Sequence, residues 1–365
     1  MLEERARAMT EDSMQSQSYR LLMDEDEENI MDLEPVTNRP IAESIFLHDK
    51  YTSAVNDDDD DDEDLTPFLF SSEPTQLNGL NFLNVVTYIA HLVASIGIGV
   101  WGLGGILDSR VKIILAHETL VTPAKWAYWI WVPILASETV FAVAQLLPEY
   151  RARPIVQDGT GFFFFYTCLL QIIWTLCFSF ELFVPSFIAV VLETATLASL
   201  LASQGLSLSR GRRSKKEYWL FRFPFYLHFG WIVVMAVAHL ALLVRYLSSM
   251  VPAQLATDMV ALGLLLPVAS YYLIRRDKPS FVIPCVILWA YIGIAWRLNN
   301  PTDTVINLYG LEVVRAFNVA CYVFAAIVCC ILFPRVAAWA CQEFFTIQVH
   351  ELGDYTLLGE PLNPP

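Results

Sequence analysis

The chain has 365 residues, of which 55% are hydrophobic, a mean hydropathy of +0.46 and a formal net charge of −15. Residues 1–79 hold 22 of the 38 acidic residues but only 5 of the 23 basic ones, so the remainder carries about +2. Because residues 1–30 are acidic and lack an apolar core, we expect no cleavable signal or transit peptide.

Residues 1–79 are predicted to form a disordered, acidic cytoplasmic tail. The like charges within the blocks Asp24–Glu28 and Asp57–Asp64 repel one another. The segment also offers too little apolar surface to offset the entropy lost on ordering. Two roles remain open for this tail. It is either a solvated extension or a docking segment that recruits partner proteins.

Eight apolar segments follow, each close to the length of about 20 residues that a helix needs to cross a bilayer. They are Leu80–Leu107, Trp126–Leu147, Phe162–Leu182, Pro185–Leu201, Trp219–Tyr246, Leu255–Ile274, Phe281–Arg297 and Leu311–Phe333. The sequence therefore predicts an all-α, polytopic membrane bundle over residues 80–333. Residues 334–365 are predicted as a cytoplasmic tail, with an interfacial helix through Arg335–Gln348 as a continuation of the last span.

Two local features refine this bundle. The third and fourth segments are separated only by Phe183–Val184, which predicts a tight helical hairpin. The glycines at 97, 99, 102, 104 and 105 permit either close helix packing or a kink in the first span. We expect close packing.

The distribution of basic residues predicts the orientation, because cytoplasmic loops of membrane proteins are enriched in Lys and Arg. Loops after odd-numbered spans carry five basic residues, and loops after even-numbered spans carry twelve. The twelve are Arg151, Arg153, Arg210, Arg212, Arg213, Lys215, Lys216, Arg222, Arg275, Arg276, Lys278 and Arg335. Both termini are therefore expected on the cytoplasmic side.

Several ionisable residues fall inside predicted spans, where they are costly and usually functional. They are His91, Glu138, Glu193, His239 and Asp258. Glu138 and Glu193 lie deepest. For each residue we favour a hydrogen-bonded contact between helices, with a proton relay or a polar ligand contact as the alternative. Asp258 lies near the start of its span and is expected to be solvated.

Tryptophan recurs at the start of the second span, which is typical of an aromatic belt at the membrane interface. However, Trp131 and Glu138 are seven residues apart and share one helical face. Trp174 and Trp231 lie inside the third and fifth spans, where no interface requires them. The candidate ligand-binding residues are Trp126, Trp131, Glu138, Gln171, Trp174, Glu193, Trp231 and His239.

Three segments resemble the tryptophan-rich sensory protein family, which is related to the translocator protein (TspO/MBR). Thr122–Trp131, TPAKWAYWIW, is similar to the family's Thr-Pro-x-Gly-Trp/Tyr-x-Phe-x-Ile-Trp entry to its second helix. Phe223–Trp231, FPFYLHFGW, resembles the proline-containing fifth helix, and Ile287–Trp296, ILWAYIGIAW, resembles a late helix of longer members. The resemblance covers roughly residues 80–333.

This resemblance implies a helical bundle with a cavity for flat, hydrophobic ligands such as porphyrins or sterols. The sequence departs from the family pattern at two places in that region. Lys125 stands where the family usually has glycine, and His239 falls where small members usually carry asparagine.

The predicted function is binding, extending to translocation, of a small hydrophobic ligand in a Trp-lined cavity of a protein embedded in a lipid bilayer. One alternative is a proton-coupled secondary transporter that uses Glu138 and Glu193. Another is a non-catalytic membrane scaffold whose acidic tail recruits partners. The sequence has no GxSxG, HExxH or P-loop motif, so we expect no enzyme, catalytic residue or metal site.

Other partners receive less support from the sequence. Residues 354–358, Asp-Tyr-Thr-Leu-Leu, fit short patterns that sorting adaptors read, although such patterns often arise by chance. No nucleic-acid partner is expected, and the sequence does not indicate a cofactor.

Overall fold

The computed structural model describes residues 78–151, 153–207, 215–274 and 280–357. The predicted acidic tail up to residue 77, most of the basic cluster Arg210–Lys216 and Leu358 of the adaptor pattern lie outside the described residues. The described part of the chain is helical and contains no β-strand.

Eight long helices, here labelled in chain order, form the bundle. They are α1 Gly79–Gly97, α2 Trp131–Ala144, α3 Phe163–Ser179, α4 Phe183–Ser207, α5 Phe223–Leu247, α6 Val251–Ile274, α7 Val282–Asn299 and α8 Leu311–Leu357. A 3₁₀ turn, Lys125–Ile130, leads into α2, and π-helical turns, Ile155–Thr160 and Tyr218–Arg222, precede α3 and α5. With these leads, eight described segments are long and apolar enough to cross a membrane, which confirms the predicted fold class.

The first span is shorter than predicted, because α1 ends at Gly97 and not at Leu107. The chain then turns through Gly102, Gly104 and Gly105, whose φ angles are 56°, 71° and 98°. These are left-handed conformations that glycine adopts without steric cost. The expectation that the glycines serve close helix packing was wrong for this turn, where they reverse the backbone after α1 has ended.

The predicted hairpin between the third and fourth spans is confirmed. Only three residues separate Ser179 from Phe183, and Glu181 in this turn has a φ of 56°. The last helix continues well beyond Phe333 and includes Pro334 in its interior. Its 47 residues span about 70 Å at about 1.5 Å per residue, more than twice the ~30 Å hydrocarbon core of a bilayer.

Helix α5 lies at the centre of the bundle and packs against α2, α4, α6 and α7. Glycine allows two close approaches. A Cβ at Gly230 would lie 3.0 Å from the Cβ of Val286 on α7, and one at Gly293 would lie 2.8 Å from the Cβ of Ala127. Trp289 of α7 donates to the Ala127 carbonyl at 2.9 Å. The 3₁₀ lead of α2 is thus held against α7, which positions the candidate site.

Candidate functional site

A buried histidine joins the two carboxylates that the sequence places deepest in the spans. His228 Nδ1 of α5 lies 2.7 Å from Glu138 Oε1 of α2. His228 Nε2 lies 3.3 Å from Glu193 Oε1 of α4, an ion-pair distance without hydrogen-bond alignment. All three side chains are at most 1% exposed. Three helices therefore meet at one polar centre inside an apolar bundle.

Gln171 of α3 extends this centre to a fourth helix. In the amide orientation that satisfies both of its polar atoms, its nitrogen donates to Glu193 Oε1 at 2.6 Å and Oε2 at 3.1 Å. A carboxylate buried in an apolar environment requires such partners, because an unpaired charge there is strongly destabilising. The predicted polar contacts between helices are therefore present at Glu138 and Glu193.

A buried arginine lies next to this centre. The Arg110 guanidinium lies 4.4 Å from the ring centre of Trp174 and 5.3 Å from that of Trp131, and its Nη2 donates to the Thr175 hydroxyl at 3.1 Å. Burial lowers the pKa of Arg110 to about 10, opposed by the nearby Glu193 carboxylate. The side chain is therefore cationic at neutral pH, and the aromatic faces stabilise its charge.

The aromatic rings form a continuous layer over the polar centre. Trp131 stacks on Trp174 at a centroid distance of 6.1 Å and meets His228 edge-on at 5.7 Å. The Trp174 indole donates to His239 Nε2 at 3.0 Å, while His239 Nδ1 lies 3.0 Å from the Met235 carbonyl oxygen. These contacts fit a neutral imidazole that accepts at Nε2 and donates at Nδ1.

A cavity of about 590 Å³ opens beside Trp131, between α1, the connection that follows it and the first half of α2. Its wall consists of Leu92, Ser95, Ile96, Gly99, Val100, Arg110, Val111, Lys125, Tyr128, Trp129, Trp131, Val132, Leu135, Ala136 and Thr139. Trp129 and Val132 are 71% and 55% exposed, so the cavity is open to the outer surface of the bundle.

A second, more apolar groove of about 470 Å³ lies between α2, α5 and α7. Its lining includes Pro133 of α2, Phe223 of α5 and Trp289 of α7. Trp129 borders both this groove and the larger cavity.

The family model described as TSPO-like protein matches residues 81–339. The chain belongs to this family. The match confirms the resemblance found in the Thr122–Trp131 motif and identifies the eight-helix body as a multi-pass membrane protein. Neither the curated proteins nor the solved structures contain a significant match to this TSPO-like chain.

Six of the eight candidate residues of this TSPO-like protein gather around the polar centre. They are Trp131, Glu138, Gln171, Trp174, Glu193 and His239. Trp126 lies elsewhere, edge-on to Trp289 at 4.7 Å and Trp296 at 6.4 Å. Trp231 is buried in the core edge-on to Tyr128 at 5.7 Å. Of the predicted tryptophans, Trp131 belongs to the wall of the larger cavity.

Sequence reasoning missed two central residues of the TSPO-like site. His228 is an ionisable residue inside the predicted fifth span and inside the quoted segment Phe223–Trp231. Its position within a span was the signal that could have identified it. Arg110 was counted as a loop charge, because it follows the predicted first span. The early end of α1 instead brings it back against the bundle.

Asp258 corrects a further expectation. Its side chain is 1% exposed, and its Oδ2 accepts from the Leu120 backbone N–H at 3.3 Å. It is therefore buried against the connection between α1 and α2. The predicted solvated end was wrong because that connection covers the beginning of α6.

Proposed function

We propose that this TSPO-like protein binds a flat, hydrophobic small molecule, of the size of a porphyrin or a sterol, in the cavity beside Trp131. The observation that carries the proposal is the cavity itself. Its volume of about 590 Å³ falls within the ~300–1,000 Å³ that ligand pockets commonly occupy. Its wall is mostly apolar and includes three aromatic rings, those of Tyr128, Trp129 and Trp131.

Two features of the surroundings support this role. The opening beside Trp129 and Val132 gives a hydrophobic molecule a path from the bilayer. Trp131 is held in place by stacking on Trp174, so its ring presents a preorganised face to a ligand. Preorganised contact surfaces bind more tightly because less side-chain entropy is lost on binding.

The proposal is tested by titrating the purified protein in lipid nanodiscs with protoporphyrin and following the porphyrin absorbance. Trp131→Leu should weaken binding about fivefold, because an aromatic stacking pair contributes about 0.5–1.5 kcal/mol beyond area burial. Trp219→Leu is the matched control, since Trp219 is 60% exposed and packs on Tyr218 and Phe223 away from the cavity. Equal affinities of both variants and the wild type would contradict the proposal.

Proton-coupled transport of the ligand is the second candidate function, and the polar centre is the specific observation in its favour. Glu138 and Glu193 lie at opposite nitrogens of His228, so a proton on the imidazole can be shared with either carboxylate. Trp131 touches His228 edge-on and borders the cavity, which connects the ligand position to this centre.

Reconstituted proteoliposomes distinguish transport from binding alone. With proton coupling, an imposed pH gradient should accelerate ligand flux in the wild type, and Glu138→Gln and Glu193→Gln should abolish that acceleration. Glu312→Gln, an exposed carboxylate paired with Arg315, is the control. Flux that does not respond to the gradient would remove this candidate. The scaffold alternative concerns the acidic tail, which lies outside the described residues, and remains a hypothesis.

A further inference from the structure

The wall of the larger cavity carries positive charge. Among the described residues that form it, Arg110 and Lys125 are basic and none is acidic. The deep carboxylate of α2, Glu138, lies 2.7 Å from His228 Nδ1 and does not belong to the wall. A purely apolar ligand would offer neither cation an anionic partner.

Three donor atoms in the same wall lack a partner within the described part of the protein. They are Ser95 Oγ, Arg110 Nε and Trp131 Nε1, all buried. Buried donors are almost always hydrogen-bonded in folded proteins, and each one left unsatisfied costs free energy. All three belong to residues of one wall, so an acceptor bound against this wall would supply a partner that the described protein does not.

Arg110 is the strongest of these donors. Within the described chain no carboxylate oxygen lies within 4 Å of its guanidinium, whose side-chain hydrogen bond goes to the neutral hydroxyl of Thr175. Arginine is rarely buried unless it is paired with an anion. Its flat, fork-like arrangement of donors matches a carboxylate or a phosphate.

The backbone around Arg110 is shaped to hold the guanidinium at the cavity. A Cβ at Gly99 would lie 2.3 Å from Arg110 Nη2 and 2.6 Å from the Ser95 carbonyl oxygen, so a larger residue would displace the side chain. The Arg110 backbone N–H donates to the Gly99 carbonyl at 2.9 Å, which fixes the turn.

We infer that the cavity recognises an amphipathic anion, whose carboxylate or phosphate is bound by Arg110 together with Lys125, Ser95 and Trp131. The apolar part of this molecule lies along the α2 face of the wall, from Val132 toward Thr139. The inference rests on the proposed function and adds to it the chemical class of the ligand's polar group.

The anionic group could belong to a membrane amphiphile or to a small free anion, and the geometry favours the amphiphile. Exposed Trp129 and Val132 open the cavity toward lipid, and most of the wall is apolar. The chemistry that Arg110 recognises is the same in both cases, so the test includes inorganic phosphate as a separate arm.

The experiment uses the full chain in mild detergent and two probes, a doxyl-labelled stearic acid and its methyl ester. They share the chain and the nitroxide quencher and differ in charge. Binding is followed by quenching of tryptophan fluorescence. The acid should bind about tenfold more tightly than the ester, because hydrogen bonds to a charged acceptor are about twice as strong as neutral ones. Inorganic phosphate at millimolar concentration should not displace the acid.

Arg110→Gln should remove the preference for the acid over the ester. Lys125→Gln, at an exposed position, should reduce the preference several-fold and tests the inference even where Arg110→Gln does not fold. Lys112→Gln is the matched control, because Lys112 is exposed on the short helix Arg110–Ala116, pairs with Asp108 and is absent from the wall.

The outcomes separate this inference from the proposed function. Equal binding of acid and ester by the wild type, or an unchanged preference in Lys125→Gln, would overturn the anion site and leave hydrophobic binding intact. Absence of binding by both probes would overturn both. Full displacement of the acid by inorganic phosphate would overturn the amphiphile as the occupant.

Discussion

At the scale of single residues, the polar chemistry of this protein depends on His228. The imidazole lies between two buried carboxylates and touches Trp131, so it links α2, α4 and α5. A buried pair is weak evidence for stability, since the cost of desolvation offsets the attraction. Removing one member is different, because the remaining charges then lose their partner inside the bundle.

His228→Leu is expected to destabilise the folded protein by about 3–5 kcal/mol, because Glu138 and Glu193 lose the group they share. The melting temperature in detergent should fall clearly. Glu312→Gln, which alters an exposed pair with Arg315, should leave it unchanged. An unaltered melting temperature of His228→Leu would show that the two carboxylates need no shared partner between them.

Gly99→Ala tests the close packing around Arg110. The added methyl group meets both the guanidinium and the Ser95 carbonyl, so we expect a loss of about 1–3 kcal/mol, typical of overpacking. Gly97→Ala, two residues earlier, has no atom within 4 Å of the added Cβ and is the matched control. Thermal unfolding of the pair measures the difference, and equal stabilities would contradict the described packing.

At the scale of elements, the connection between α1 and α2 decides where the cavity lies. Arg110 stands at the middle of this connection, and Lys125 follows directly after it. Glu118 anchors its second half. The carboxylate pairs with Arg297 Nε and accepts from Arg297 Nη2 at 2.9 Å and from Thr302 Oγ1 at 2.7 Å. The Arg245 guanidinium donates to the Glu118 carbonyl.

Glu118→Ala should therefore loosen this connection. Loss of its bonds to Arg297 and Thr302 is expected to cost about 2 kcal/mol, since Arg297 is left partly buried without its anion. Hydrogen exchange across residues 110–124 should become faster. Asp108→Ala, in an exposed pair with Lys112 on the same connection, is the control. Unchanged exchange in Glu118→Ala would mean that the apolar contacts of the connection hold it alone.

At the scale of the whole molecule, the eight spanning segments and the asymmetry of basic loop residues together predict that both termini are cytoplasmic. The described helices agree with an even number of crossings. The side of the membrane on which they begin is a prediction from charge alone.

Tags at the two termini test this orientation. In sealed, right-side-out vesicles, external protease should spare both tags, because twelve basic loop residues are predicted inside and five outside. Permeabilised vesicles, in which both tags should be cleaved, are the control. Cleavage of one tag in sealed vesicles would indicate an odd number of spans, and cleavage of both would invert the topology.

The elements of this protein could be predicted from its sequence, because the length and apolar character of a membrane helix are local properties. The hairpin at Phe183 followed from the spacing of two apolar segments, and the Thr122–Trp131 motif indicated the family. The predicted end of α1 was wrong, because the apolar run continues through Gly102–Gly105 and hydropathy alone does not reveal that the backbone turns there.

The site required the tertiary structure. Glu138 and His228 are 90 residues apart, and Arg110 and Trp174 meet although they belong to different elements. Which side chains face each other depends on how each helix is rotated about its axis and on glycine contacts such as Gly293 against Ala127. The sequence by itself determined the number of spanning helices and the family of the protein, whereas only the packing of the helices decided which polar residues share the interior and where the cavity opens.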